Sequence, residues 1–162
     1  MRSVLLTLCC LFALEAQGIN PTRAMEVDSY EMDLSLLGFD DRAESLVVNG
    51  IWLLYEGVYY NRRNSDKDML MTYVWGQDYC LEDLGDMGSK ASSIRFAGGD
   101  DLGSSSLNIY EEEGFMGAEL YVTQDEETIK YKEFGRSLIL TGCEPDPMYA
   151  YTRILHHLHV LR

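Results

Sequence analysis

The stretch Gly38–Glu56, G-F-D-D-R-A-E-S-L-V-V-N-G-I-W-L-L-Y-E, decides how the rest of the chain is read. It opens with an acidic turn, Asp40-Asp41-Arg42-Ala43-Glu44-Ser45, and continues into an apolar run, Leu46-Val47-Val48. Asn49-Gly50 interrupts that run, and Asn-Gly is a strong signal for a two-residue hairpin turn. A second apolar run, Ile51 to Tyr55, follows directly. Both runs are short and rich in β-branched or aromatic residues, so they read as strands. The acidic turn then lies at a strand end, where a bent loop holds oxygen atoms close together.

This stretch resembles the βγ-crystallin Greek-key family. Motifs of that family close with a loop of the form (Asn/Asp)-(Asn/Asp)-x-x-(Ser/Thr)-Ser and a strand. The next motif opens with a strand ending in an aromatic residue and a glutamate. D-D-R-A-E-S and I-W-L-L-Y-E fit, except that Glu44 stands where Ser or Thr is usual. The resemblance implies an all-β, Greek-key sandwich. It also implies a calcium site in which the loop of one motif pairs with the opening hairpin of its partner. Here that site would be Asp40, Asp41 and Glu44 with Glu56 and Gly57. The alternative for the same residues is an acidic turn closed by Asx-type bonding.

Outward from this stretch, the resemblance continues in series. Upstream, residues 25–37 alternate partially and read as one or two strands of a first motif whose opening strand is missing. Downstream, a second motif runs from Ile51 to Gly98. Tyr60 follows Tyr55 by five residues, but Arg62 stands in place of the family's glycine, with Asn61 as the residue able to adopt positive φ instead. Residues 63–68 read as a polar loop, Met69 to Trp75 as a strand, and Ser92-Ser93-Ile94-Arg95 as the motif's ending. Residues 99–106, rich in Gly and Ser, read as a linker, with Asp100 and Asp101 solvated.

A third motif follows without a break. Tyr110, Phe115 and Gly117 give aromatic-x4-aromatic-x-Gly, Ala118 to Val122 a strand, and Ser137 to Gly142 the closing strand. A fourth motif begins after Gly142 and stops, leaving a tail from 153. The expected organisation is a first domain over 25–98 and a partial second one over 107–152. The repeat of roughly 40–50 residues is of the size of a supersecondary unit. The companion loop Gly88–Ser93, G-S-K-A-S-S, keeps neither acidic position and carries Lys90, so it is expected to hold no calcium.

At 162 residues the chain allows one ordinary domain or two small ones, and 46% apolar content is enough for a packed core. The formal charge of -14 and pI near 4.4 oppose binding to nucleic acid or to anionic membranes. Arg2, the apolar run Val4 to Leu14 and the small residues before Gly18 read as a signal peptide spanning 1–18. The run is shorter than the roughly 20 residues that span a bilayer. Secretion would remove Cys9 and Cys10 and leave Cys80 and Cys143, either paired in an oxidising compartment or as two separate thiols.

There is no nucleophile motif, zinc-protease motif or phosphate loop, so no enzymatic activity is expected. His156, His157 and His159 read as incidental residues of the tail. The function expected is that of a secreted structural or calcium-binding protein. The alternative is a secreted inhibitor or toxin-like defence protein, with the loop from Arg62 to Asp68 as its recognition element. A half-built fourth motif leaves strand edges and an apolar sheet face open, so self-association through 105–152 is expected as well.

Overall fold

The computed structural model describes residues 3–6, 25–28, 30–62, 69–99, 101–125, 134–142, 148–152 and 159–161. The described structure is all-β, with three short 3-10 turns and two antiparallel five-stranded sheets. The chain divides into two units, Met1–Phe96 and Ala97–Arg162.

The first unit holds β1 (Ser3–Leu6), β2 (Met25–Val27), β3 (Leu46–Tyr55), β4 (Met71–Leu81) and most of β5 (Ser93–Ala97). β3 organises it. Its register corrects the sequence reading, because no hairpin forms at Asn49-Gly50: the strand runs unbroken through both residues. Gly50 instead takes φ 100 at an irregularity where the pairing with β4 shifts between Val48 and Gly50. A β-bulge with glycine at positive φ bends a strand without ending it. A Cβ there would lie 2.5 Å from the Phe96 ring, so the bare backbone is needed for packing as well. The Trp52 indole N–H donates to the Asn49 carbonyl across the bend at 3.1 Å.

The bend divides β3 into two halves with different partners. Leu46 to Asn49 pair with β1, while β4 lines the whole of the other edge. The edge left to β5, which also pairs with β3, is Ile51–Tyr55. Either half thus forms its own ladder. Leu46 and Val48 of the first half join Trp52 and Leu54 of the second, and Ile94 and Phe96 of β5, in one fully buried core. Trp52 and Phe96 meet edge-to-face, with ring centroids 5.3 Å apart. The segment 30–37 crosses beside β5 through a bridge between Glu31 and Ile94 and then closes into a turn, Leu34–Leu37, capped by the Asp33 carboxylate.

Ser3–Leu6 lies between β2 and β3, the place of the opening strand of a first motif. The sequence reading assigns these residues to a signal peptide. In register, Val4 falls opposite Val27 and Val48, and Leu6 opposite Met25 and Leu46.

The second unit is one sheet in the order β10-β9-β8-β6-β7. It comprises β6 (Ser106–Tyr110), β7 (Glu119–Val122), β8 (Ser137–Thr141), β9 (Met148–Thr152) and β10 (His159–Leu161). β6 lies between β7 and β8 just as β1 lies between β2 and β3. Leading into β6, Asp101 closes a tight Asx turn. One carboxylate oxygen accepts from the Gly103 N–H and the other from the Ser104 hydroxyl, both at 2.9 Å. These bonds hold its carboxyl below the ordinary range. Cys80 is disulfide-bonded. Pairing with Cys143, the loop 63–68, Asp100, His156 and His157 lie outside the described residues.

Candidate metal centre

Two loops that the sequence predicts to be equivalents, 40–45 and 88–93, clasp each other by reciprocal bonds. The Asp41 N–H donates to the Ala91 carbonyl at 3.2 Å, and the Ser89 N–H donates to the Ala43 carbonyl at 2.8 Å. Likewise Leu34 N–H donates to Ser92 O at 2.8 Å, and Leu84 N–H to Glu44 O at 3.0 Å. Asp41 and Ser89 hold matching left-handed conformations, φ 53 and φ 56. An Asp tolerates this region at small cost because its short side chain bonds locally. The loops are therefore two copies of one device, facing each other across an approximate twofold axis.

Their side chains differ as the sequence predicts. Asp40 is largely covered, and its Oδ1 is shut off from solvent with no hydrogen-bond donor. Asp41 and Glu44 are exposed. A Glu44 carboxylate oxygen accepts from the Ser89 hydroxyl at 3.2 Å. In the companion loop Ser89 and Lys90 are exposed and no carboxylate is present.

Glu56 and Gly57 belong to the hairpin after β3, and their polar groups are already engaged within it. The Glu56 carboxylate accepts from the Leu70 N–H at 2.8 Å. The Gly57 carbonyl accepts from the Ser93 hydroxyl at 2.6 Å, and the same oxygen of Ser93 accepts from the Tyr60 N–H at 3.1 Å. Asn61 closes the hairpin, accepting from Gly57 N–H at 2.7 Å and donating to Leu70 O at 3.0 Å. Tyr59, Tyr60 and Asn61 all adopt positive φ, so the fold-back is made without the missing glycine. Tyr55 and Tyr60 lie 5.5 Å apart between ring centroids.

The structure joins the two halves of the predicted site through Ala91–Ser93. Asp41 is bonded to Ala91, while Ser92 N–H donates to Tyr55 O and Ser93 holds Gly57. Among the described residues no hydrogen bond links Asp40, Asp41 or Glu44 directly to Glu56 or Gly57. Among the described residues no group of three or more Asp, Glu, His or Cys side chains gathers closely enough to hold a metal ion. A cation here would accordingly depend on Asp40 and on backbone carbonyls, each of which has two lone pairs. Calcium, which takes six to eight oxygens in flexible geometry, suits such a donor set.

The hairpin lock recurs in the second unit, and sequence spacing alone does not reveal it. The Ser137 hydroxyl donates to Glu112 O at 2.6 Å and accepts from Phe115 N–H at 3.0 Å. Tyr110 and Phe115 repeat the ring contact at 5.5 Å. Glu111 repeats Glu56, its carboxylate accepting from Ala118 N–H at 3.1 Å. The signal available in the sequence was a serine at the same step of each closing strand, Ser93 and Ser137.

No protein-family model matches the chain, and no curated protein matches it. Among solved structures it is similar to Geodin, a beta-gamma crystallin from Geodia cydonium, with a TM-score of 0.60 and 15% sequence identity. The match covers 98% of this chain and 88% of that one. At that identity the likeness shows the fold: two-motif Greek-key architecture of the βγ-crystallin kind.

Proposed function

We propose, for this chain of βγ-crystallin fold, a non-enzymatic role as a secreted structural module that holds one calcium ion at the loop 40–45. The observation that carries the reading is Asp40: one of its carboxylate oxygens is buried without a donor. Leaving a charged acceptor unsatisfied is costly, and a cation removes that cost. Asp41 supports the reading, because it is the next residue in the loop and its carboxylate is exposed. The companion loop lacks both acidic positions, so the stoichiometry proposed is one ion per chain. The signal-peptide pattern over 1–18 supports secretion, where calcium is plentiful; its removal would take β1 out of the first sheet.

The test is isothermal titration of the chelator-treated protein with calcium, together with thermal melts. One ion should bind, and the folded state should gain about 2.7 kcal/mol at a hundredfold excess of calcium over the dissociation constant. Asp40→Ala should abolish the gain, and Asp41→Ala should weaken it. Two ions, no ion at millimolar calcium, or an intact gain in Asp40→Ala would overturn the assignment.

A further inference from the structure

The two hairpin locks align the second unit with the first residue by residue. Ser137 corresponds to Ser93, Tyr110 to Tyr55 and Phe115 to Tyr60, since each makes the same bonds or ring contact. Counting along the strands from these anchors, Leu107 and Ile109 of β6 fall where Trp52 and Leu54 stand in β3. Leu138 and Leu140 of β8 fall where Ile94 and Phe96 stand in β5. Across the ladder, Val122 opposes Leu107 as Val74 opposes Trp52, and Leu120 opposes Ile109.

In the first unit this face is the core. Trp52, Leu54, Ile94 and Phe96 are no more than 2% exposed, because the ladder containing Leu46, Val48 and Val27 packs over them. In the second unit the five residues corresponding to Trp52, Leu54, Val74, Ile94 and Phe96, namely Leu107, Ile109, Val122, Leu138 and Leu140, all remain partly exposed, as does Leu120 beside them. Only one ladder of the two-ladder sandwich is present among the described residues of that unit. The opposite face of β6 and β8 is the buried one: Ser106, Asn108, Ser137, Ile139 and Thr141 are buried there.

We propose that this apolar face of the second unit is a dimer interface, covered by the same face of a second copy of the chain. The first unit supplies the reason for that occupant. There, what covers such a face is another ladder of the same Greek-key repeat, related by an approximate twofold. A second copy offers an identical ladder, and an isologous twofold contact brings the two faces together in that manner. The face carries no charged residue, so the net charge of -14 lies outside the contact. Long-range repulsion between two such acidic chains is screened by salt, which should tighten the dimer.

The experiment is sedimentation equilibrium of the full chain from micromolar to near-millimolar concentration, at low and high salt. A monomer–dimer equilibrium that tightens with salt is expected. Ile109→Glu should raise the dimer dissociation constant about a hundredfold or more, because it places an unpaired charge in an apolar contact. Tyr121→Glu, at an exposed position on the opposite face, should leave it unchanged. Should Ile109→Glu fail to fold by circular dichroism, a mixed sample of isotope-labelled and unlabelled wild-type chains decides. Intermolecular contacts among the methyl groups of Leu107, Ile109, Leu138 and Leu140 support the interface. A chain monomeric throughout, a dimer lacking those contacts, or one dissolved by Tyr121→Glu and not by a folded Ile109→Glu, overturns it.

Discussion

Replacing Ser93 with alanine should destabilise the first unit by about 2–4 kcal/mol. The Ser93 side chain is fully buried and its oxygen makes two bonds at once, donating to Gly57 O at 2.6 Å and accepting from Tyr60 N–H at 3.1 Å. Each bond contributes about 1 kcal/mol net, and each backbone group left buried without a partner costs about 1–3 kcal/mol more, less whatever relaxation recovers. For a unit of this size that corresponds to a fall in Tm of about 10–30 °C. Urea denaturation followed by tryptophan fluorescence is the assay, since Trp52 lies in the core of the same unit. The midpoint should drop with no change in slope. Ser89→Ala, at an exposed hydroxyl 3.2 Å from Glu44, is the control and should shift stability by less than about 0.5 kcal/mol. A loss below about 0.5 kcal/mol for Ser93→Ala would refute the reasoning, because it would mean the hairpin does not depend on the serine lock.

Three further outcomes are expected. Asp40→Ala should leave the calcium-free protein as stable as wild type or up to about 1–3 kcal/mol more stable, since it removes an unsatisfied buried oxygen, while erasing the calcium response; chemical denaturation with chelator and with calcium checks both. Gly50→Ala should cost about 1–3 kcal/mol or more, because the new Cβ would sit 2.5 Å from the Phe96 ring at a φ of 100 that suits only glycine; a melt within error of wild type would count against the bulge. Asp101 should titrate below an ordinary aspartate in a carboxyl NMR pH series. Because its folded-state pKa is depressed, its contribution is present above the unfolded-state pKa and is lost as pH falls through the folded value, and Asp101→Asn should remove that dependence.

Much of the fold was legible because local chemistry and tertiary placement agree. The aromatic pairs Tyr55/Tyr60 and Tyr110/Phe115 carry their spacing in the sequence, and the hairpins that stack them are local structures. Asn61 in place of a glycine was readable for the same reason: positive φ is a property of residue type. The acidic loop was visible as D-D-R-A-E-S, and so was the loss of its carboxylates in G-S-K-A-S-S. What a linear reading did not supply is the reciprocal clasp between those loops, because Asp41–Ala91 and Ser89–Ala43 are long-range bonds.

Residue type and spacing by themselves determined the all-β character, the recurring hairpin and the asymmetry between the two loops. Tertiary structure alone decided Asn49-Gly50. Taken locally the pair is a turn, but strand partners on both edges of β3 hold it extended and convert the glycine into a bend. Tertiary structure also decided which apolar faces are covered. Trp52 and Leu107 occupy the same step of the same motif, yet one is sealed and the other partly open. A pattern of alternating apolar residues says that a strand has an apolar face; only the presence of a second layer determines whether water is excluded from it.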